Sequence, residues 1–222
     1  MKVQAVVFDF DGVLADTALD IAASVRATQR QYGMPEMTTE QIMSFVGWGA
    51  KHLIEHTVPA EDEAKQEEIL AWYKAYYAAH PCDETVLYPG IQETLDGFKA
   101  RGVKMSVVSN KPEPLTRMIV DKLGISTYFT RVIGPESVTR MKPDPEGLLL
   151  CAKAMDAAPE NCMMVGDSYT DIEAGKAAGF GCTCAVFYGY GNKEKLTAAG
   201  ADFAVQHGRE IGGQTLTCDV QS

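Results

Sequence analysis

Five short apolar runs, each stopping abruptly at polar residues, constrain this chain more than any other feature: Ala5 to Phe8, Val103 to Val108, Arg131 to Ile133, Cys162 to Val165 and Cys182 to Phe187. Runs as predominantly apolar as these suit strands covered on both faces. Between them lie stretches of helical length: Leu115 to Leu123 before Gly124, Pro145 to Met155, and Asp171 to Ala178 before Gly179. Glycine suits a helix C-terminus because it tolerates the left-handed conformation there. Strands alternating with helices dictate right-handed βαβ units and a parallel sheet, so the expected fold is α/β with a Rossmann-like core whose sheet is flanked by helices.

One region breaks this rhythm. From about Ala18 to Val86 there is no strand-like run. Ile21, Val25 and Thr28 mark one helix up to Gly33; Thr39 to Val46, Ala50 to His56 and Glu61 to His80 mark three more. In the last, Ile69, Trp72, Tyr73, Tyr76 and His80 recur at helical spacing and read as a packing stripe. Residues 16–87 are therefore expected to form an inserted α-helical cap, and residues 1–15 with 88–222 a discontinuous catalytic core. Leu87-Tyr88-Pro89-Gly90 punctuates the return to the core. The stretch from Gly208 to Ser222 is polar and is expected to fray.

Composition narrows the partners. Lys plus Arg number 20 against 30 for Asp plus Glu, a formal net charge of −10, which argues against a nucleic-acid partner. No run approaches the roughly 20 apolar residues of a membrane helix, and the N-terminus lacks the apolar segment of a signal peptide. The expectation is a cytoplasmic protein, monomer or homodimer, with no membrane partner. The 6 cysteines show no CxxC spacing; Cys182-Thr183-Cys184 lies in a strand-like run and reads as packing.

Ligands of an open parallel sheet bind beyond the carboxyl ends of its strands. There the chain carries Asp9-Phe10-Asp11-Gly12, Ser109-Asn110-Lys111-Pro112 and Gly166-Asp167-Ser168-Tyr169-Thr170-Asp171, with Lys142 in Met141-Lys142-Pro143-Asp144-Pro145. Singly, each could be a turn or a helix cap. Gathered at one edge, four carboxylates repel unless a cation joins them, and oxygen-only ligands favour Mg2+. Phosphoryl transfer needs a nucleophile, a proton donor for the leaving oxygen and positive charge around the phosphoryl group. Asp9 is the candidate nucleophile and Asp11 the candidate acid and base. Gly12 permits a close turn at the phosphate. Ser109 and Asn110 would donate to phosphoryl oxygens, Lys142 would neutralise charge, Asp167 would ligate metal, and Asp171 would orient its waters or Lys142.

Residues 9–17 (DFDGVLADT), 109–112 (SNKP), 142–145 (KPDP) and 166–171 (GDSYTD) resemble the four ordered motifs of the haloacid dehalogenase superfamily. The resemblance runs from Val3 to about Val205. It implies an aspartyl-phosphate intermediate on Asp9, phosphate binding by Ser109 and Lys142, and Mg2+ held by Asp9, the Asp11 carbonyl and Asp167. Val46-Gly47-Trp48-Gly49-Ala50 is similar to a cap loop of the phosphoglycolate phosphatase group within that superfamily. That likeness implies a small phosphorylated metabolite as substrate, 2-phosphoglycolate first, and makes Gly47 and Gly49 candidate substrate contacts; Trp48 and Lys51, beside those glycines, either close over the substrate or are packing and surface residues respectively. A β-phosphoglucomutase-like phosphosugar mutase keeps the same four motifs and stands as the alternative, as does a catalytically silent scaffold. His52-Leu53-Ile54-Glu55-His56 fits a zinc pattern but lacks a third ligand and reads as ordinary helix surface; Gly189-Tyr190-Gly191 reads as a loop.

Overall fold

A computed structural model describes residues 3–213. The strands are β1 (Ala5–Phe8), β2 (Ala15–Asp16), β3 (Val86–Leu87), β4 (Lys104–Val108), β5 (Phe129–Ile133), β6 (Cys162–Gly166), β7 (Cys182–Val186) and β8 (Phe203–Val205). The helices are α1 (Ala18–Gln31), α2 (Thr39–Met43), α3 (Gly49–Thr57), α4 (Glu63–Ala79), α5 (Ile91–Ala100), α6 (Glu113–Lys122), α7 (Glu146–Ala154), α8 (Tyr169–Ala177) and α9 (Lys193–Ala198).

Six strands form one parallel sheet in the order β5-β4-β1-β6-β7-β8. After β1 the chain builds outward through β4 and β5, then crosses to build on the other side through β6. The sequence direction therefore reverses at β1, where such sheets open a crevice at their carboxyl edge. Alternation in β1 serves two cores: Val6 and Phe8 pack with Leu95 and Phe98 of α5 and Ile119 of α6, whereas Ala5 and Val7 pack with Leu148 of α7 and Ala174 of α8. Phe8 meets the rings of Phe98 and Phe129 edge-on at 6.1 and 6.5 Å.

The parallel sheet and its covering helices match expectation, with two additions. β8 is a sixth strand, at 3 residues too short to read as an apolar run. The antiparallel pair β2–β3 joins the two ends of the helical insertion, Ala15 opposite Leu87 and Asp16 opposite Val86. Two residues per strand carry no periodicity to detect.

Helices α1 to α4 occupy the insertion and pack on one another. The aromatic stripe of α4 divides in two. Ile69, Tyr73 and Tyr77 are buried at four-residue spacing, while Trp72, Tyr76 and His80 run along a neighbouring face, Trp72 stacked on Tyr76 at 5.3 Å and Tyr76 tilted against His80 at 4.7 Å. A helix of 3.6 residues per turn cannot present both sets to one partner. Residues 208–213 also depart from expectation, because they dock. Ile211 is fully buried and the Gly208 carbonyl accepts a hydrogen bond from Thr94 of α5. The rest of the expected fraying segment, 214–222, lies outside the described residues.

Candidate active site

The carboxyl ends of β1, β4 and β6 open on a cavity of about 520 Å3, roofed by the helical insertion. Asp9 follows β1 directly, and its N–H is bonded to the Val165 carbonyl of β6. Its Oδ1 accepts from the Phe10 N–H at 2.7 Å and pairs with Lys142 Nζ at 3.0 Å. Lys142 is buried; its ammonium forms ion pairs with Asp9 and, at 2.7 Å, with Asp171 Oδ1, and it donates to the Val108 carbonyl at 2.7 Å. Although burial alone would lower it, Asp171 and Asp9 hold the Lys142 ammonium up at about 12.

Asp167 is buried against the loop after β7, its Oδ2 accepting from the N–H groups of Tyr190 and Gly191 at 2.7 and 3.1 Å. The approach is close enough that a Cβ on Gly12 or Gly189 would collide with this carboxylate. Burial, then Asp171 and Asp9, push the Asp167 carboxyl well up. Burial raises Asp9 to about 6, opposed by Lys142 and helped by Asp171. One oxygen from each of Asp9, Asp167 and Asp171 lies within 4.8 Å of the others. Three carboxylates with one ammonium leave excess negative charge in a desolvated place, and hard oxygen donors of this kind fit a divalent cation.

Asp11 is held from two sides. Thr17 Oγ1 donates to its Oδ1 at 2.6 Å, and Lys111 Nζ reaches both of its oxygens at 3.1 and 3.2 Å. Lys111 donates its third hydrogen to the phenol oxygen of Tyr77, on α4, at 2.9 Å. Ser109, at the end of β4, is buried with its Oγ accepting the Lys111 N–H.

Three expected positions, Asn110, Lys51 and Gly12, need revision. Asn110 faces the cavity, but its amide hydrogens go to the carbonyls of Gly47 and Lys142, and its Oδ1 accepts the Lys142 N–H; it braces the two loops rather than offering donors to a phosphate. Lys51 lies outside the cavity lining, exposed and 3.8 Å from Glu55, because it points along the outer face of α3. Gly12 also lies outside the lining and instead makes room for Asp167. Asp171 is fully buried behind the cavity, engaged by Lys142 and by the Ser168 N–H. The loop 189–191 is a loop, as read, but its backbone grips Asp167.

Gly47, Trp48 and Gly49 do line the cavity. Both glycines have positive φ, 113° and 86°, and a Cβ on Gly49 would press the Asn110 carbonyl at 3.2 Å. Trp48, 43% exposed, meets Tyr169 of the core at 5.9 Å. Lys111, Tyr77, Thr17 and Tyr190 escaped the sequence reading. Lys111 and Tyr190 follow strand ends and could have been found by applying the strand-end rule without exception; Tyr77 had no such signal.

Residues 6–185 match the family of haloacid dehalogenase-like hydrolases. A phosphoglycolate phosphatase of Aquifex aeolicus is 33% identical over 208 residues, 94% of this chain and 94% of that protein. Phosphoglycolate phosphatase 1 of Pseudomonas aeruginosa is 32% identical over 214 residues, 93% of this chain and 77% of that protein. The crystal structure of a predicted phosphoglycolate phosphatase from Haemophilus somnus superposes with a TM-score of 0.91 at 26% identity, covering 97% of this chain and 99% of that one. Sheet order, inserted helices, ordered motifs and these likenesses agree, and the chain belongs to the haloacid dehalogenase-like hydrolases.

Proposed function

We propose that this chain is a phosphatase acting on a small phosphomonoester, with 2-phosphoglycolate the first candidate, through a phosphoryl group carried transiently on Asp9. The observation that carries this reading is the state of the Asp9 carboxylate. Its Oδ1 is pinned by the Phe10 N–H and Lys142, which leaves Oδ2 as the oxygen to attack phosphorus. Lys142, paired with Asp9 before attack, stands beside the phosphoryl oxygens after it. Ser109 keeps its hydroxyl hydrogen for a phosphoryl oxygen, since its Oγ only accepts from the Lys111 N–H. Asp11, two residues beyond the nucleophile, gives a proton to the departing alkoxide and later takes one from the water that attacks phosphorus. Asp171 positions Lys142.

The metal reading rests on the same carboxylates. Asp9, Asp167 and the Asp11 carbonyl would hold Mg2+, which when bound offsets phosphoryl charge in the way metal ions assist such transfers. The proposed division is a core of residues 1–15 and 88–222 and a cap of residues 16–87, the cap shutting bulk water out of the cavity. The substrate is suggested by the names of the relatives of A. aeolicus and P. aeruginosa.

Phosphate release from a panel of small phosphoesters, with and without Mg2+ and with Asp9→Asn as the blank, tests the reading. Mg2+-dependent release by the native chain alone supports it. Isomerisation of a phosphosugar without net release would instead establish the mutase, and inertness toward every ester would remove the phosphatase.

A further inference from the structure

Two buried lysines line the cavity, and their engagements differ. Lys142 lies between two carboxylates and a carbonyl. Lys111 is 7% exposed and has one carboxylate partner, Asp11, which is also the expected proton carrier. Of the other lysines in the lining, Lys74 is exposed, and Lys195 is exposed with its ammonium 5.6 Å from the centre of the Tyr169 ring. No arginine is among the described lining residues. A second anionic group on a substrate therefore meets a desolvated cation only at Lys111.

We propose that Lys111, positioned by Tyr77, is the seat for a carboxylate carried by the substrate, and that this carboxylate takes the place of Asp11 on the ammonium. The substrate class is then a phosphomonoester with a carboxylate one carbon from the ester oxygen. The inference rests on the phosphatase reading above and deepens it.

Distance supports the assignment. A proton donor must come within about 2.6–3.2 Å of the ester oxygen. Lys111 Nζ lies 3.1 Å from the Asp11 carboxylate, so it stands two contacts from that oxygen, a span an O–CH2–COO− unit bridges. Energetics supports it as well. A buried ammonium is costly unless paired, and exchanging one carboxylate for another keeps the pair intact. The exchange frees Asp11 to turn toward the ester oxygen, with Thr17 Oγ1 still on its Oδ1. Tyr77 steadies Lys111 and keeps its own phenol hydrogen for the incoming carboxylate. Burial first, then the Asp11 charge, push the Tyr77 phenol up, so that hydrogen is retained.

The test compares 2-phosphoglycolate with 2-hydroxyethyl phosphate, in which CH2OH replaces the carboxylate. Steady-state kcat and KM are measured for the native chain, Lys111→Met and Tyr77→Phe, with thermal melts as the folding control. The native chain should prefer the carboxylate ester by about 100-fold in kcat/KM, and Lys111→Met should erase that preference. Tyr77→Phe, which keeps the ring, should narrow it about 10-fold, mainly by raising KM for 2-phosphoglycolate. A native ratio near one, or a ratio that survives both substitutions, overturns the proposal. Should Lys111→Met fail to fold, the Tyr77→Phe ratio alone decides. Turnover of 4-nitrophenyl phosphate with neither test ester hydrolysed would sink the carboxylate seat and leave the phosphatase reading standing; release from no ester would remove both.

Discussion

Lys142 shows how much one side chain can be asked to do. Its ammonium joins Asp9 to Asp171 inside the protein, and removing one member of a buried ion pair costs about 3–5 kcal/mol because the remaining charge is stranded. Lys142→Met should therefore lower the unfolding free energy by about 3 kcal/mol as well as abolish turnover. Added Mg2+ should recover part of the lost melting temperature by supplying positive charge to the same carboxylates. A melt indifferent to Mg2+ would contradict the metal assignment at Asp9. Asp9, Asp11, Ser109, Lys142 and Asp167 were legible from the sequence because each lies just past a strand or in the loop leaving one, so chain order alone brings them together. Asn110 and Lys51 were misjudged for a different reason: their residue types suit a phosphate, but whether an amide is already spent, or which way a helix face points, is decided by packing. Tyr77 was invisible because it enters from α4, remote in sequence and chosen by the rotation of that helix.

Helix ends and loop contacts tie the site to its supports. Thr17 stands at the N-cap of α1 but does not cap it, since its hydroxyl is turned to Asp11. The phenol oxygen of Tyr190 takes over, accepting from the Thr17 and Ala18 N–H groups at 2.6 and 3.0 Å while donating to Asp16 at 2.8 Å. Because the Tyr190 N–H also holds Asp167, one residue links the start of the helical insertion to the metal-ligand candidate. Tyr190→Phe should cost about 1 kcal/mol, the usual worth of a lost cap, measured by urea unfolding.

Glu113, in the first turn of α6, fastens that helix to the loop after β5 by accepting from the Gly134 N–H and Ser137 Oγ, and pairs with Arg117 one turn on in the same helix. Burial raises its carboxyl, but Ser137, Gly134 and Arg117 outweigh that and hold it below its ordinary 4.5. A carboxyl lowered on folding stabilises the protein fully above its unfolded value and loses that contribution as pH falls through the folded value. Glu113→Gln should therefore destabilise at pH 7 and by less at pH 3. Equal destabilisation at both pH values would refute the charged role. Elements of five or more residues were largely readable from apolar runs and helical spacing, whereas β2 and β3 were not, because a two-residue bridge is a tertiary fact.

At the scale of the molecule, function follows from two bodies of residues meeting over one sheet edge. The reversal of strand order at β1 opens the crevice, and the insertion after Asp11 supplies a roof that carries Tyr77, Gly47 and Trp48 to it. The sequence announced both parts, through strand-end motifs and through a stretch of helices without strands, yet the contacts across the cavity depend on the angle at which the roof is set. Asn110 bonding to Gly47 and Lys111 bonding to Tyr77 are such contacts. Divalent-ion binding to the folded state should raise stability as RT ln(1 + [ion]/Kd), so the melting temperature should climb with Mg2+ concentration and fall back with a chelator.

The central claim is that Asp9 carries the phosphoryl group. Its most direct test is rapid acid quenching of the Mg2+-loaded protein during turnover of 2-phosphoglycolate, or of whichever ester the panel shows to be hydrolysed, followed by peptide mass mapping. A phosphoryl adduct on the peptide holding Asp9, absent from Asp9→Asn, is the predicted result. Full turnover by Asp9→Asn, or an adduct confined to another residue, would contradict the account.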